Sequence, residues 1–324
     1  MSEKYLGDEI TASGSHTKCI KARTSKCIGV MADISNMLKM LCLGQYMFRV
    51  AIILRQAMFL SVMLLNTSTW LRLSQSDIKL METSDEIQMR NFLSAPRSTP
   101  IVSIYLTFGA VPIRFQIKSR RVMFLHYLLR RDKSEMISRV LYAQIKNPVK
   151  GDWYLVVKED LDSLGLGHLT LEDMASKSKY TMKKLVREAM EKSAFQYLME
   201  KKQGMSKLKD LKYDKLKFQS YLACSQMNNR EKRLAFSLQT RMVNLSSNYG
   251  LKINCKVCKG PNTEDNQLHL FQQCTTLKQL CPELQNNDSK YEDLFSNDVV
   301  KISKIVKLFD VALRKRAEIL EKEK

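Results

Sequence analysis

The sequence predicts a mainly α fold: a helical bundle, then a basic helical region, then a small zinc-binding module near the C-terminus. Three observations predict it. The 324 residues hold only six prolines and eleven glycines, so long stretches run without a breaker. Apolar residues recur at helical rather than alternating spacing. One cysteine–histidine constellation has the spacing of a metal site.

The elements follow in order. Ile20, Thr24, Cys27, Met31, Ile34, Leu38 and Leu41 form one stripe of a first helix, with Lys18, Lys21 and Lys26 largely off it. Met47, Val50, Ala51, Leu54, Met58 and Leu65 predict a second helix with a wider apolar face. A third begins at a Ser74 or Ser76 cap and reaches about Leu93, before Pro96. Residues 95–112 read as turns and a short extended piece. Residues 117–131 read as a helix with Ile117, Phe124, Leu125 and Leu128 inward. Pro148 and Gly151 mark one break, Gly165 and Gly167 another, and Thr170 with Asp173 forms a capping pair. Further helices are expected over 180–202 and 230–245. A last one runs from Val299, with Ile302, Ile305, Phe309, Ala312 and Leu320 near one face. These readings divide the chain into regions 1–94, 95–165, 166–249, 250–285 and 286–324, with no repeat of solenoid period.

Charge narrows the partners. Lys and Arg number 53 against 33 Asp and Glu, a net charge of +20. The excess is clustered. Residues 114–158 carry eleven basic side chains against Asp132, Glu135 and Asp152; residues 177–217 carry thirteen against five. Such a field draws in polyanions, and RNA or DNA is the expected partner. An anionic membrane is the competing polyanion, but no lipidation motif is present. The most apolar stretch, 37–73, is interrupted by Lys39, Arg49, Arg55 and Arg72 and reads as buried helix rather than a span. The first twenty residues lack an apolar core, and the eight cysteines are not spaced as a disulfide framework. An intracellular protein of the nucleus or cytoplasm, neither secreted nor in a membrane, is expected.

The sharpest motif is Cys255-Lys-Val-Cys258, then ten residues to His269, then four to Cys274. Two thiolates two residues apart grip one ion from a tight turn, and His269 with Cys274 can close a tetrahedron. Gly260 suits the chain reversal of such a knuckle. Sulfur and nitrogen donors favour zinc over calcium or magnesium. Cys281 is a rival fourth ligand. Three thiolates and an imidazole leave no open position, so the expected Zn2+ is structural. Cys19, Cys27, Cys42 and Cys224 lack partner spacing and read as core or inert.

No catalytic residue is assigned. There is no nucleophile elbow and no phosphate-binding loop. Asp160 and Asp162 are two apart in a helix-like context, unlike a two-metal pair. His16, His126 and His168 have no evident partner, and His126 reads as a packed helix residue.

The segment Tyr5-Leu6-Gly7-Asp8-Glu9-Ile10, the basic run from Ile20 to Lys26, the stretch from Val111 to Tyr127 and the set Cys255, Cys258, His269 and Cys274 together resemble one family, the reverse transcriptases of non-LTR (LINE-type) retrotransposons. Tyr5-Leu6-Gly7-Asp8-Glu9-Ile10 is similar to the segment ending their palm. The basic run with Ile20, Lys21, Ala22, Arg23 and Lys26 is similar to the start of their thumb. Val111-Pro112-Ile113-Arg114, continuing through Arg120-Arg121-Val122-Met123-Phe124-Leu125-His126-Tyr127, is similar to their post-thumb region. Cys255, Cys258, His269 and Cys274 match their C-terminal zinc motif. The resemblance spans most of the chain and implies the C-terminal portion, thumb and zinc motif, of an RNA-directed DNA polymerase. It implies a thumb-like bundle at the front. It places the palm and its paired aspartates before residue 1, so a separate palm-bearing chain is a further expected partner, and the chain by itself is not expected to be an enzyme. Template RNA, primer or target DNA would be held by Lys21, Arg23, Lys26, Arg114, Lys118, Arg120, Arg121, Arg130 and Arg131 through backbone contacts. The alternative is a zinc-stapled helical interaction scaffold without nucleic acid.

Overall fold

The computed structural model describes residues 2–5, 8–11, 15–260, 263–285 and 288–322, the first two stretches by their backbone alone. Strands β1 (Ser2–Tyr5) and β2 (Asp8–Thr11) pair antiparallel, Ser2 opposite Thr11. Leu6 and Gly7, central to the palm-end resemblance, lie outside the described residues. The other described residues are helix, turn and loop, with two isolated bridges.

Helix α1 (Thr17–Met40) buries Ile20, Cys27 and Ile34 of the expected stripe and half-buries Thr24, Met31 and Leu38, while Leu41, just past its end, is exposed; Cys19 is buried as well. Arg23 lies on that stripe and is buried too. The apolar stretch follows as α2 (Met47–Leu54), a π turn (Arg55–Phe59) and α3 (Leu60–Met63). Its buried side is Phe48, Ala51, Phe59, Leu60 and Met63, while Leu65 is exposed. Of the face read from sequence only Ala51 is fully buried. The segment is apolar nearly all round, so periodicity could not choose a side, and the π turn shifts the register midway. Arg55, on the buried side, makes two 2.6 Å bonds to Asp85, which also accepts from the Tyr105 hydroxyl at 2.8 Å. By length and composition Gly44–Met63 is the one helical run among the described residues able to cross a membrane.

Helix α4 (Gln75–Leu93) starts at Ser74, whose hydroxyl accepts from the Asp77 amide, and stops at left-handed Ser94. Residues 95–112 are not extended: α5 (Ile101–Phe108) occupies them, buried along almost its whole length. A short run of Ile, Val, Tyr, Leu and Phe reads equally well as buried strand or buried helix, and packing decided for helix. Left-handed Gly109 ends it, with the Lys217 backbone so close that a Cβ would stand 2.4 Å from a carbonyl carbon.

Helices α6 (Ile113–Leu129), α7 (Met136–Lys146), α8 (Trp153–Ser163), α9 (Leu171–Ser176) and α10 (Lys179–Gln203) build the middle of the chain. Thr170 and Asp173 form the expected capping box. Helix α11 (Asn229–Gln239) ends six residues short of the 230–245 reading, where Arg241 turns left-handed. Helices α12 (Thr275–Leu280) and α13 (Pro282–Gln285) follow the metal-motif residues, and α14 (Val299–Lys322) closes the chain.

Two apolar cores organise these elements. One gathers residues from α1 to α5 together with α11, the cysteine–histidine segment and α14. The other holds the run from Val111 to Ala194, including Val122, Leu125, Trp153, Val157 and Met182. The middle of the chain is thus an excursion whose ends meet: Gln219 donates to the Thr107 carbonyl at 3.0 Å, and Phe108 faces Phe218. The segment 250–285 has no core of its own. Val257, Leu270, Phe271 and Leu277 belong to the first core, and Phe271 stacks on Phe309 of α14 at 4.8 Å.

Candidate metal centre and basic surface

Cys255, Cys258, His269 and Cys274 converge, their ligand atoms all within 4.8 Å of one another. Three local devices bring them together. The first is a minimal hairpin: Asn254 pairs with Glu264, and the Cys255 amide donates to the Thr263 carbonyl at 2.6 Å. The second is the knuckle, where the Lys259 amide donates to the Cys255 carbonyl at 2.9 Å. The left-handed residue there is Lys259, with φ of 51°, not the expected Gly260. Gly260 instead leaves room for Thr263, whose methyl would stand 3.1 Å from an added Cβ. The third device is a π turn over His269–Gln273. In an α-helix, residues five apart point about 140° away from each other. Here the Cys274 amide closes onto the His269 carbonyl at 2.7 Å, so ligands five residues apart face the same point.

The geometry fits zinc. Two thiolates about 2.3 Å from a tetrahedral ion stand about 3.8 Å apart. Cys255 and Cys274 sulfurs are 4.0 Å apart, and the Cys258 sulfur is 3.4 Å from His269 Nε2. The hydrogen bond between Cys255 and Cys274 holds the Cys255 thiol well below the ordinary range and pushes Cys274 above it. A thiolate is the ligand form. Cys281 is buried but stands outside the converging group. The set could therefore hold one metal ion, and four protein donors would leave no position for a reacting water. Cys255, Cys274 and His269 are each at most 3% exposed, which suits a structural role.

The cysteines outside the set divide. Cys19 and Cys27 are core, the Cys27 thiol pushed up to about 12 chiefly by burial. Cys42 is exposed and Cys224 half-buried. Asp160 is bound to Arg121 at 3.0 Å and is no half of an open carboxylate pair. His126 is buried against the Lys177 carbonyl, and His16 stacks on Trp70.

The nine basic side chains expected to touch nucleic acid separate into three groups. Arg23, Arg120 and Arg121 are turned onto one loop. They donate to the Leu65, Leu64 and Leu71 carbonyls, and Trp153 donates to Ser68 in the same loop. Residues 64–71 leave carbonyls at a helix end, and these side chains satisfy them. Arg23 and Arg121 are at most 5% exposed. Arg114 and Lys118 form the second group, along a cleft between α4, α6 and α8. Arg114 is held by Glu82 in two 2.7 Å bonds that raise its pKa, and Lys118 bonds Ser163 while burial lowers its own. Lys21, Lys26, Arg130 and Arg131 form the third group and are exposed, Arg131 paired with Glu135 at 2.6 Å.

Four cations missed as site residues follow Arg130 along the chain: Lys133, Arg139, Lys146 and Lys150. All are exposed, and with Arg130 none is in an ion pair among the described residues. The signal was present in the sequence, since residues 130–150 contribute half of the surplus counted over 114–158.

No family model, no curated protein and no solved structure matches this chain.

Proposed function

We propose that this chain binds RNA or DNA through phosphate contacts, with one structural zinc ion fixing its C-terminal segment. The reading includes descent from the thumb and zinc-motif portion of a non-LTR retrotransposon reverse transcriptase, which rests on the sequence resemblance and the four converging ligands. A palm-bearing chain is its natural partner. The observation that carries the binding function is the group Arg130, Lys133, Arg139, Lys146 and Lys150. Five exposed cations from one stretch of chain, none in an ion pair among the described residues, would release counterions on meeting phosphate.

The test is salt-dependent binding of duplex DNA and single-stranded RNA by the zinc-loaded protein. Affinity should fall steeply between about 50 and 200 mM salt. Replacing Arg130, Lys133 and Arg139 with Ala should flatten the log–log slope by about 0.9 per lost duplex contact and about 0.7 per single-strand contact. Absence of binding at low salt, or a slope the variant leaves untouched, refutes the assignment. A second reading, the helical interaction scaffold, is favoured by α7, which exposes Met136 at 82%, Val140 at 51% and Ile137 at 45%. A protein partner docked there would bind with little salt dependence.

A further inference from the structure

Beside the metal centre lies a cleft of about 460 Å3, lined by Lys207, Arg241, Asn248, Asn266, Gln267 and Tyr291 among others. The volume falls within the range of small-ligand sites. Its lining includes three side-chain amides held by hydrogen bonds, Asn248 donating to the Val243 carbonyl at 2.7 Å. Asn266 Oδ1 accepts from the His269 amide at 2.8 Å. Gln267 donates to the Leu238 carbonyl at 3.2 Å and accepts from the Tyr291 hydroxyl at 2.6 Å. Each amide retains hydrogen-bonding capacity, because an amide has two donor hydrogens and two lone pairs. The lining also holds two cations. Arg241 adopts a left-handed backbone, φ 55°, that a side chain rarely accepts, and its guanidinium reaches Asp210 at 2.6 Å. Such backbone outliers gather at functional sites. Lys207 forms no ion pair among the described residues. Glu264, the one acid on the lining, accepts from Asn266 Nδ2.

Tyr249 lies in sequence between the lining residues Asn248 and Gly250 and is 64% exposed, and Leu268 of the lining is 37% exposed. Tyr249 closes the 3-10 turn Ser246–Tyr249, and left-handed Gly250 follows it. An exposed tyrosine ring next to a lining of amides and two cations suits a ligand that is both flat and anionic.

We infer that this cleft holds one unpaired nucleotide of a single strand. The base edge meets the amides of Asn248, Asn266 and Gln267, the phosphate meets Lys207 and Arg241, and a flanking base lies on Tyr249. A paired base has its edge occupied and its faces stacked, so a duplex cannot use the site. The inference rests on the nucleic-acid reading above and adds strand selectivity to it.

The experiment compares a short mixed-sequence single strand with its duplex on the zinc-loaded full chain. Tyr249→Ala should weaken the single strand about 5-fold or more, the lower end of what base–aromatic stacking contributes. It should leave the duplex within about 2-fold, and Tyr249→Phe should restore the single strand. Lys207→Ala, on a separate segment, should reproduce the selective loss; Arg130→Ala should weaken both probes. Zinc content and circular dichroism identify any variant that has merely unfolded. Equal loss for both probes, or no loss in either cleft variant, overturns the inference while the body reading stands. Failure of the unaltered protein to bind either probe overturns both.

Discussion

The Arg55–Asp85 pair offers the most quantitative test of how the first core is held. Both side chains are at most 3% exposed, and two 2.6 Å bonds join them. Asp85 is also the acceptor for Tyr105, so three donors converge on one buried carboxylate. Asp85→Ala would strand a guanidinium in the core and leave a buried phenol without its acceptor. Breaking a buried pair by removing one partner costs about 3–5 kcal/mol. An orphaned buried hydroxyl adds about 1–3 kcal/mol, less than additively because both groups share the same oxygen atoms. Against a total stability of about 5–15 kcal/mol, the single variant should lose about a fifth of it or more. The double variant Arg55→Met/Asp85→Leu removes both charges and should recover most of the loss, since apolar replacement of a buried pair is often neutral or better. The assay is urea unfolding of zinc-loaded protein, followed by circular dichroism. A cost below about 1 kcal/mol for Asp85→Ala, or a double variant no better than the single, would refute the reasoning.

The metal centre predicts one zinc per chain by elemental analysis, lost in Cys258→Ser and retained in Cys281→Ser and Cys224→Ser. Chelation should raise hydrogen exchange in α11 and α14 as well as in 250–285, because Phe271 stacks on Phe309 and Arg316 binds Asp265 at 3.0 Å. Arg121→Ala should lower stability yet leave the salt slope of nucleic-acid binding unchanged, the reverse of Arg130→Ala. Gly109→Ala should destabilise by more than about 1 kcal/mol in the same urea assay, since φ is 61° and the Lys217 backbone blocks a methyl. Lys118 has its folded pKa lowered, first by burial, so the unfolded chain binds its proton more tightly. Stability lost to this lysine at pH 7 returns as pH rises through the folded value towards about 10.5, and Lys118→Met should stabilise at pH 7 by an amount that shrinks on that approach.

The metal motif was readable because ligand chemistry demands particular residues, and Cys255, Cys258, His269 and Cys274 do meet. What spacing alone left open, the choice of Cys274 over Cys281, was decided by a π turn that no residue type announces. Caps were equally readable, at Ser74 and at Thr170, since a side-chain oxygen in the right place satisfies a free amide. Apolar runs were not. In α5 and in the stretch from α2 to α3 nearly every residue is apolar, so hydropathy carries no phase. The arginines hold a clearer lesson. Arg23 lies three residues past Ile20 and four before Cys27, and Arg121 lies midway between Ile117 and Leu125. Each occupies the buried stripe of its helix, and the periodicity that located the stripe also marked these charges as internal. Net charge drew them towards phosphate; position drew them towards the carbonyls of residues 64–71.

The division of the first core between the two flanks of the middle excursion sets an order of assembly on the ribosome. Synthesis proceeds from the N-terminus at about 5–20 residues per second. Phe48, Phe59 and Phe108 are made before the α11 and α14 residues that complete the same core, those of α14 following after roughly 10–40 s of further elongation. The run from Val111 to Ala194 is contiguous and can close in the meantime. The middle can therefore close before the first core is complete, and the apolar surface of α1 to α5 waits on the part of the message that encodes Cys255 to Cys274 and α14.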